Sequence, residues 1–302
     1  MYAQIRQFFA DRDVLEVETP IFSRYGNTDP AIASIMADFS SDLSSSPEIR
    51  YAHTSPEFPM KRLLVKNAGA IYQICKVFRK EEIGRLHNPE FSMLEWYRPG
   101  LNYNQLMDEI SELIKYLGIA QNVKRISYAE LFQMHLDLDV LNTSVAQLKQ
   151  CAKENGLESV GFGENYDDWT ALLLANLIEP KLGFDEPVFV YDYPASQAAL
   201  SQIREKDNVA ERFELYIQGI EIANGYQELT DVKIYERRFE TDNEKRKVSG
   251  LPEILMDKWL LNDLLSGLPN SSGVAMGLDR LLMIKTDATH IDQTLTFSFT
   301  DI

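Results

Sequence analysis

A few arginines, one histidine and a set of glutamates stand at spacings that suit the handling of a triphosphate and a divalent metal ion. In FRKEEIGRLHNPEF, Arg79 closes one apolar stretch and Phe91 opens the next, with Lys80, Glu81, Arg85, His87 and Asn88 between them. A planar guanidinium holds two phosphate oxygens through parallel hydrogen bonds, and an aromatic face can stack a purine. Strand alternation after this loop places Phe91, Met93, Glu95 and Tyr97 on one face and Ser92, Leu94 and Trp96 on the other. A second segment, FELYIQGIEIANGYQEL, carries Glu214 and Glu221, a pair able to hold Mg²⁺, which takes one or two carboxylates plus phosphate oxygens. Asn224, Tyr226 and Glu228 share one parity and Glu221 the other, so lining one cavity with all four requires a bulge or bend near Gly225. A third, SGVAMGLDRLLMI, puts Gly277 at a strand-to-helix junction and Arg280 in the first helical turn, where a helix N-terminus and a guanidinium can hold an anion. Taken singly, each segment also has a structural reading: an incidental carboxylate on an exposed face, a buried ion-pair network, a structural glycine.

The elements needed to position these groups are legible in outline. Ile5, Phe8 and Phe9 form the apolar face of a helix over residues 1–13, and Leu15 and Val17 alternate with Glu16 and Glu18 in a short strand ending at Pro20. The β-branched and aromatic stretches 71–79 and 91–97 predict two strands joined by the polar hairpin 80–90. Spacings of three and four from Tyr103 to Leu117 predict an amphipathic helix stopped by Gly118. Residues from about 144 to 181 read as helical, so a mainly helical insertion covers about 103–181. Strands resume over 187–193 and 213–229, followed by a helix over 252–268, a strand over 273–276 and a last helix from Leu278. Hairpins broken by helical segments predict an α+β domain on an antiparallel sheet.

Composition narrows the chemistry further. The 302 residues carry 45% hydrophobic and 25% charged side chains, the balance of an ordinary globular protein. Cys75 and Cys151 stand far apart in no CxxC pattern, which excludes a disulfide framework or zinc finger and suits a reducing cytoplasm. The longest apolar run, 171–178, is interrupted by Asn176 and too short to span a bilayer. No GxxxxGK[ST] is present, and after Gly161 and Gly163 the third position of a glycine-rich fingerprint is occupied by Tyr166. ATP chemistry here must therefore rest on side-chain cations and metal ions. A net charge of −16 argues weakly against nucleic acid as a main partner. His53, His135 and His290 have no partner pattern and read as structural.

VLEVETP, FRKEE followed by RLHNPEFSMLEWY, and GVAMGLDRLLM resemble, in order, motifs 1, 2 and 3 of the class II aminoacyl-tRNA synthetases. Ser55-Pro56-Glu57, His87 to Phe91 and Asn224 to Leu229 narrow the resemblance to the lysyl-tRNA synthetase branch. LEWYRP at 94–99 and FVYDYPASQAAL at 189–200 resemble the paralogues of that branch that modify elongation factor P. The resemblance runs nearly end to end. It implies an antiparallel six-stranded sheet flanked by helices, one catalytic domain over 1–302 without an anticodon-binding domain, and a homodimer through motif 1.

By position it also implies roles. Arg79 clamps the ATP α-phosphate and, with Arg280, is catalytic. Lys80, Glu81, Asn88 and Ile222 contact the nucleotide, Phe91 stacks on adenine, and His87 and Arg280 address the outer phosphates while Gly277 makes room. Glu214 and Glu221 hold Mg²⁺. Ser55, Pro56, Glu57, Glu95, Tyr97, Asn224, Tyr226 and Glu228 receive the amino acid. Where the synthetases have glycine two residues before Gly277, this sequence has Ala275, whose methyl would favour a β-amino acid over L-lysine. The implied reaction is adenylation of (R)-β-lysine or L-lysine and transfer to a lysine of elongation factor P, in the cytoplasm, with tRNA and membranes not expected as partners. The alternatives are a lysyl-adenylate-forming enzyme acting on tRNA or a small amine, and a non-catalytic regulatory paralogue. An intact set of Arg79, Glu214, Glu221 and Arg280 speaks against the last.

Overall fold

A computed structural model describes residues 1–41, 47–80, 82–157 and 163–301. Glu81 and Gly161 lie outside the described residues. The chain divides into two compact units, residues 1–106 with 228–302, and residues 107–227.

In chain order the first unit opens with α1 (Tyr2–Ala10), β1 (Leu15–Glu16), β2 (Phe22–Ser23), β3 (Met36–Asp38), β4 (Ile49–Ala52), α2 (Glu57–Val65), β5 (Ile71–Phe78) and β6 (Glu90–Pro99). Helix α3 (Tyr103–Tyr116) carries the chain into the second unit, and Gly118, at φ 70°, closes it as expected. There follow β7 (Lys124–Ser127), α4 (Tyr128–Leu136), α5 (Val145–Glu154), α6 (Tyr166–Leu173), β8 (Val188–Pro194), β9 (Ile203–Arg204), β10 (Val209–Ile217) and β11 (Ile220–Gln227). The chain returns to the first unit with α7 (Val232–Val248), α8 (Lys258–Leu264), β12 (Ser271–Gly277) and α9 (Leu278–Thr286).

In the first unit β5, β6 and β12 are antiparallel, with β6 in the middle, and β1 adds a parallel edge to β5. A separate sheet runs in the order β2-β4-β3. In the second unit β11, β10 and β8 are antiparallel, β7 adds a parallel edge to β8, and β9 pairs with β10. Three antiparallel strands in the first unit and four in the second, β9 included, take the place of the expected six, and the parallel pairings of β1 and β7 make the sheet arrangement mixed rather than antiparallel. Each short parallel edge is fed from outside a hairpin: β1 follows α1, and β7 follows α3.

Local chemistry explains the second unit. Ser127 and Ser144 each form a reciprocal capping box, with Glu130 and Gln147, and so start α4 and α5. Tyr128, Phe132, Leu148, Trp169, Leu173, Val190 and Tyr216 then share one core. The β10–β11 hairpin turns through Gln218 and Gly219, both at positive φ, the geometry that matches strand twist in a two-residue loop. The expected helix over 252–268 is shorter, Lys258–Leu264, because Asp257 caps it by accepting from the backbone N–H of Trp259 and Leu260.

Candidate active site

The β5–β6 hairpin and the start of α9 gather the cations of the first unit. Backbone pairing of Arg79 N–H to Pro89 O (2.9 Å) closes the loop, and Gly84 and His87 exchange hydrogen bonds within it. The Arg79 guanidinium lies 5.1 Å from the centre of the Phe91 ring and donates to Thr54 O, with Glu82 3.6 Å away. Arg280, at the third position of α9, donates to Leu86 O and to His87 Nε2 at 2.6 Å. Burial and then this guanidinium lower the His87 pKa, so His87 is a neutral acceptor on that nitrogen. Asp279, one residue earlier, accepts from Ser92 N–H at 2.7 Å and ties α9 to β6. Three sequence-predicted phosphate groups, Arg79, His87 and Arg280, therefore belong to this loop–helix corner with Phe91. Lys80 is different: its backbone pairs with Ala33 O and its side chain is exposed. Asn88 is buried and donates to Glu90 O, holding the turn into β6.

Of the residues expected to receive the amino acid, those in the same unit form a second, more enclosed cluster. Glu95, in the middle of β6, is 2% exposed. It accepts from Ser55 Oγ (2.6 Å) and Tyr97 Oη (2.7 Å). Burial, then the charge of Glu57, push its pKa to about 8. Burial pushes Tyr97 well above its usual range, so it stays a neutral donor. Pro56 occupies the N-cap position of α2, Ser55 Oγ accepts from Glu57 N–H, and Glu57 opens the helix. Glu228 follows β11 and pairs its backbone N–H with Ser271 O at 3.0 Å. Ala275 stands directly opposite Glu95 in the β6–β12 register, and Gly273 and Gly277 stand opposite Tyr97 and Met93. Direct partners in an antiparallel pair share a face, so the Ala275 methyl is on the face of Glu95.

Two members of this cluster escaped the sequence reading. Lys61, fully buried, places Nζ 2.5 Å from Glu57 Oε1, 2.6 Å from Glu228 Oε2 and 3.0 Å from Tyr235 Oη. Gly273 leaves space that no other residue could: a Cβ there would sit 2.5 Å from Glu228 Oε1 and would clash with the edge of the Tyr97 ring. The only sequence signal for Lys61 is its place four residues after Glu57, one helical turn away on the same face.

The second unit holds its own polar face on β10 and β11. Leu215 pairs with Ala223 but Tyr216 with Glu221, so Ile222 is an extra residue on β11. The bulge expected near Gly225 is therefore at Ile222, whose side chain is buried. It brings Glu221 to the side of Asn224 and Tyr226: Arg212, Glu214 and Tyr216 face Tyr226, Asn224 and Glu221 as register partners. Glu214 accepts from Tyr193 and Tyr216 hydroxyls on Oε2 and from Arg212 and Asn224 on Oε1. Asn224 Oδ1 is buried with no hydrogen-bond partner among the described residues. A carboxylate pair suits Mg²⁺, yet Glu214 already uses about four lone-pair sites, all that it has, so an ion there must displace Arg212 or Asn224. Among the described residues no group of three or more His, Cys, Asp or Glu side chains is arranged to hold a metal.

Mixed sheets flanked by helices, a motif 2 hairpin carrying Arg79 and a strand-to-helix junction carrying Arg280 define a class of protein. The profile "tRNA synthetases class II (D, K and N)" matches residues 1–301, and the chain belongs to that family. Within it, the chain is 46% identical over 297 residues to the elongation factor P–(R)-β-lysine ligase of Enterobacter sp. (strain 638), covering 98% of this chain and 91% of that protein. It is 45% identical over 298 residues to the same ligase of Erwinia tasmaniensis (98% and 92%) and 44% identical over 296 residues to that of Pasteurella multocida (98% and 91%).

Proposed function

We propose that the protein uses ATP to activate (R)-β-lysine, or L-lysine, as its adenylate and transfers it to a lysine side chain of elongation factor P. The observation that carries this reading is the cluster of Glu57 with the buried Glu95 and Glu228, carboxylates whose chemistry matches a substrate bearing two ammonium groups. In the first step a substrate carboxylate oxygen bonds to the α-phosphorus and pyrophosphate leaves. In the second, the acceptor amine attacks the acyl carbon, AMP leaves with the bonding electron pair, and the amine loses a proton. The substrate carboxylate is already a nucleophile, so positioning and charge neutralisation do the work.

Arg79 is assigned to the α-phosphate, Phe91 to the adenine face, His87 and Arg280 to the outer phosphates, and Lys80, Glu81, Asn88 and Ile222 to the nucleotide. Ser55, Glu57, Glu95, Tyr97 and Glu228 are assigned to the amines, with Pro56, Ala275 and Gly277 shaping the space. In the second unit the unpartnered Asn224 Oδ1 is an acceptor suited to an ammonium N–H, with Tyr226 beside it in register terms. Glu221, with Glu214 once an Arg212 or Asn224 contact is released, would hold magnesium, which would neutralise phosphate charge. Exposed Leu15, Phe22, Met36, Phe39 and Ile49 around motif 1 and the small sheet support a homodimer through that region. No helix among the described residues is long and apolar enough to cross a membrane; a cytoplasmic setting is part of the proposal. The test is ATP–pyrophosphate exchange with L-lysine, (R)-β-lysine and (S)-β-lysine, followed by transfer to elongation factor P or to tRNA-Lys. Exchange with none of the three isomers would refute the reading.

A further inference from the structure

Three carboxylates in one enclosed cluster present a charge problem that the substrate alone cannot solve. Before any substrate arrives, Glu57, Glu95 and Glu228 repel one another in a place from which water is largely excluded. Neighbouring buried carboxylates relieve that repulsion by taking up protons, and a neutral carboxylic acid is a poor partner for an ammonium. The chain supplies a countercharge. Lys61 reaches from α2, one turn after Glu57, and has no exposed surface. Its three ammonium protons meet three acceptors: Glu57 and Glu228 carboxylates and the Tyr235 hydroxyl from α7. Burial works against its charge, but Glu228 and Glu57 outweigh it and hold the ammonium well above the usual lysine range.

We infer that Lys61 is a positioning residue: an internal ammonium that fixes Glu57 and Glu228 in orientation and favours the charged form of Glu228, leaving the three-carboxylate cluster matched to a substrate with two positive charges. The inference rests on the assignment of this pocket to the amino acid. Once a bound dication displaces the proton that Glu95 keeps near neutral pH, three carboxylates less one internal ammonium leave two negative charges for two substrate ammoniums. The groups facing this centre are Glu57 from α2, Glu95 and Tyr97 from β6, Glu228 after β11, and Tyr235 from α7. Lys61 itself directs its three protons to Glu57, Glu228 and Tyr235. It acts through the glutamates.

The experiment measures KM for the amino acid and for ATP in pyrophosphate exchange, at pH 7 and pH 9, for the full chain and for Lys61→Met, which keeps the length and apolar stem. Without Lys61 the nearby charge that holds the Glu228 pKa down is gone, so Glu228 keeps a proton at pH 7 that the substrate must displace. The amino-acid KM at pH 7 should rise by roughly tenfold for each unit by which the Glu228 pKa then exceeds the pH. Most of that loss should be regained at pH 9, with the KM for ATP unchanged throughout. A purely structural lysine would give a loss equal at both pH values, or one shared by ATP; either result overturns the inference, as does an unchanged amino-acid KM. Should Lys61→Met fail to fold, Tyr235→Phe decides. It removes one acceptor from Lys61 and should raise the amino-acid KM roughly two- to tenfold, the worth of one hydrogen bond, without moving that for ATP. An unaltered KM there overturns the inference. A wild-type chain inactive with every lysine isomer would overturn the functional reading and this one together, whereas an active wild type with the wrong variant profile overturns this one alone.

Discussion

Glu95 is where the demands of folding and of binding oppose each other. Its carboxyl is enclosed, near Glu57 and Glu228, and titrates near 8 rather than near the ordinary 4.5. The folded state therefore keeps a proton that the unfolded chain releases as pH rises between those values. Where the unfolded chain binds fewer protons, stability falls with rising pH, so Glu95 imposes no penalty below about 4.5 and its full penalty above about 8. Glu95→Gln removes that dependence. Its thermal unfolding midpoint should match the wild type near pH 5 and exceed it by a margin that widens up to about pH 8.5. A margin that narrows with pH, or a variant less stable at every pH, would contradict the assigned environment. Ala275, directly across the strand pair from Glu95, is the companion question. If its methyl disfavours the α-amino geometry of L-lysine, Ala275→Gly should improve kcat/KM for L-lysine relative to (R)-β-lysine by about ten- to two-hundredfold, the range of one methyl-sized difference. An unchanged ratio would show that Ala275 does not select the isomer.

At the scale of elements, the β6–β12 pair is the part of the first unit that fixes the pocket. Gly273 lies opposite Tyr97, and its missing side chain is the room that Tyr97 and Glu228 use. Gly273→Ala should raise the amino-acid KM well before that of ATP and lower stability by about 1–3 kcal/mol, the usual penalty for overpacking. Wild-type kinetics in a Gly273→Ala chain would mean that Tyr97 and Glu228 can move aside freely. Much of this arrangement was legible in the sequence, because β6 announces itself by alternation and Glu95 and Tyr97 share parity with Phe91. The bulge in β11 was legible as a need but not as a place: parity says that one residue must be extra, and only the pairing with β10 shows that it is Ile222. Helix α7 was not legible, since VKIYERRFETDNEKRKV is charged nearly all round, and it buries little beyond Tyr235, Phe239 and Arg246. Losing α7 meant losing Tyr235, and with it the reason for Lys61. A lysine is almost never fully buried, so nothing in the sequence marks this one as internal until α2, α7 and Glu228 are brought together.

At the scale of the whole molecule the question is which acceptor receives the activated amino acid. The chain carries 46 acidic against 30 basic residues, a net charge of −16. Binding of nucleic acid draws on phosphate contacts from Lys and Arg, and such binding weakens steeply as salt rises because counterions are released. An acidic surface has the reverse dependence: salt screens its repulsion of the phosphates and lets a polyanion approach more closely. Two measurements separate the cases. Transfer of the activated amino acid should be followed to elongation factor P and to tRNA-Lys in matched buffers, at about 50 mM and about 200 mM salt. The protein acceptor should be modified far faster at both, and whatever small transfer to tRNA occurs should increase, not decrease, with salt. Transfer to tRNA that equals transfer to elongation factor P, and that falls as salt rises, would mean that a basic tRNA-binding face operates despite the overall charge. The acceptor would then be the nucleic acid, with the adenylate chemistry proposed for Arg79 and Arg280 unchanged.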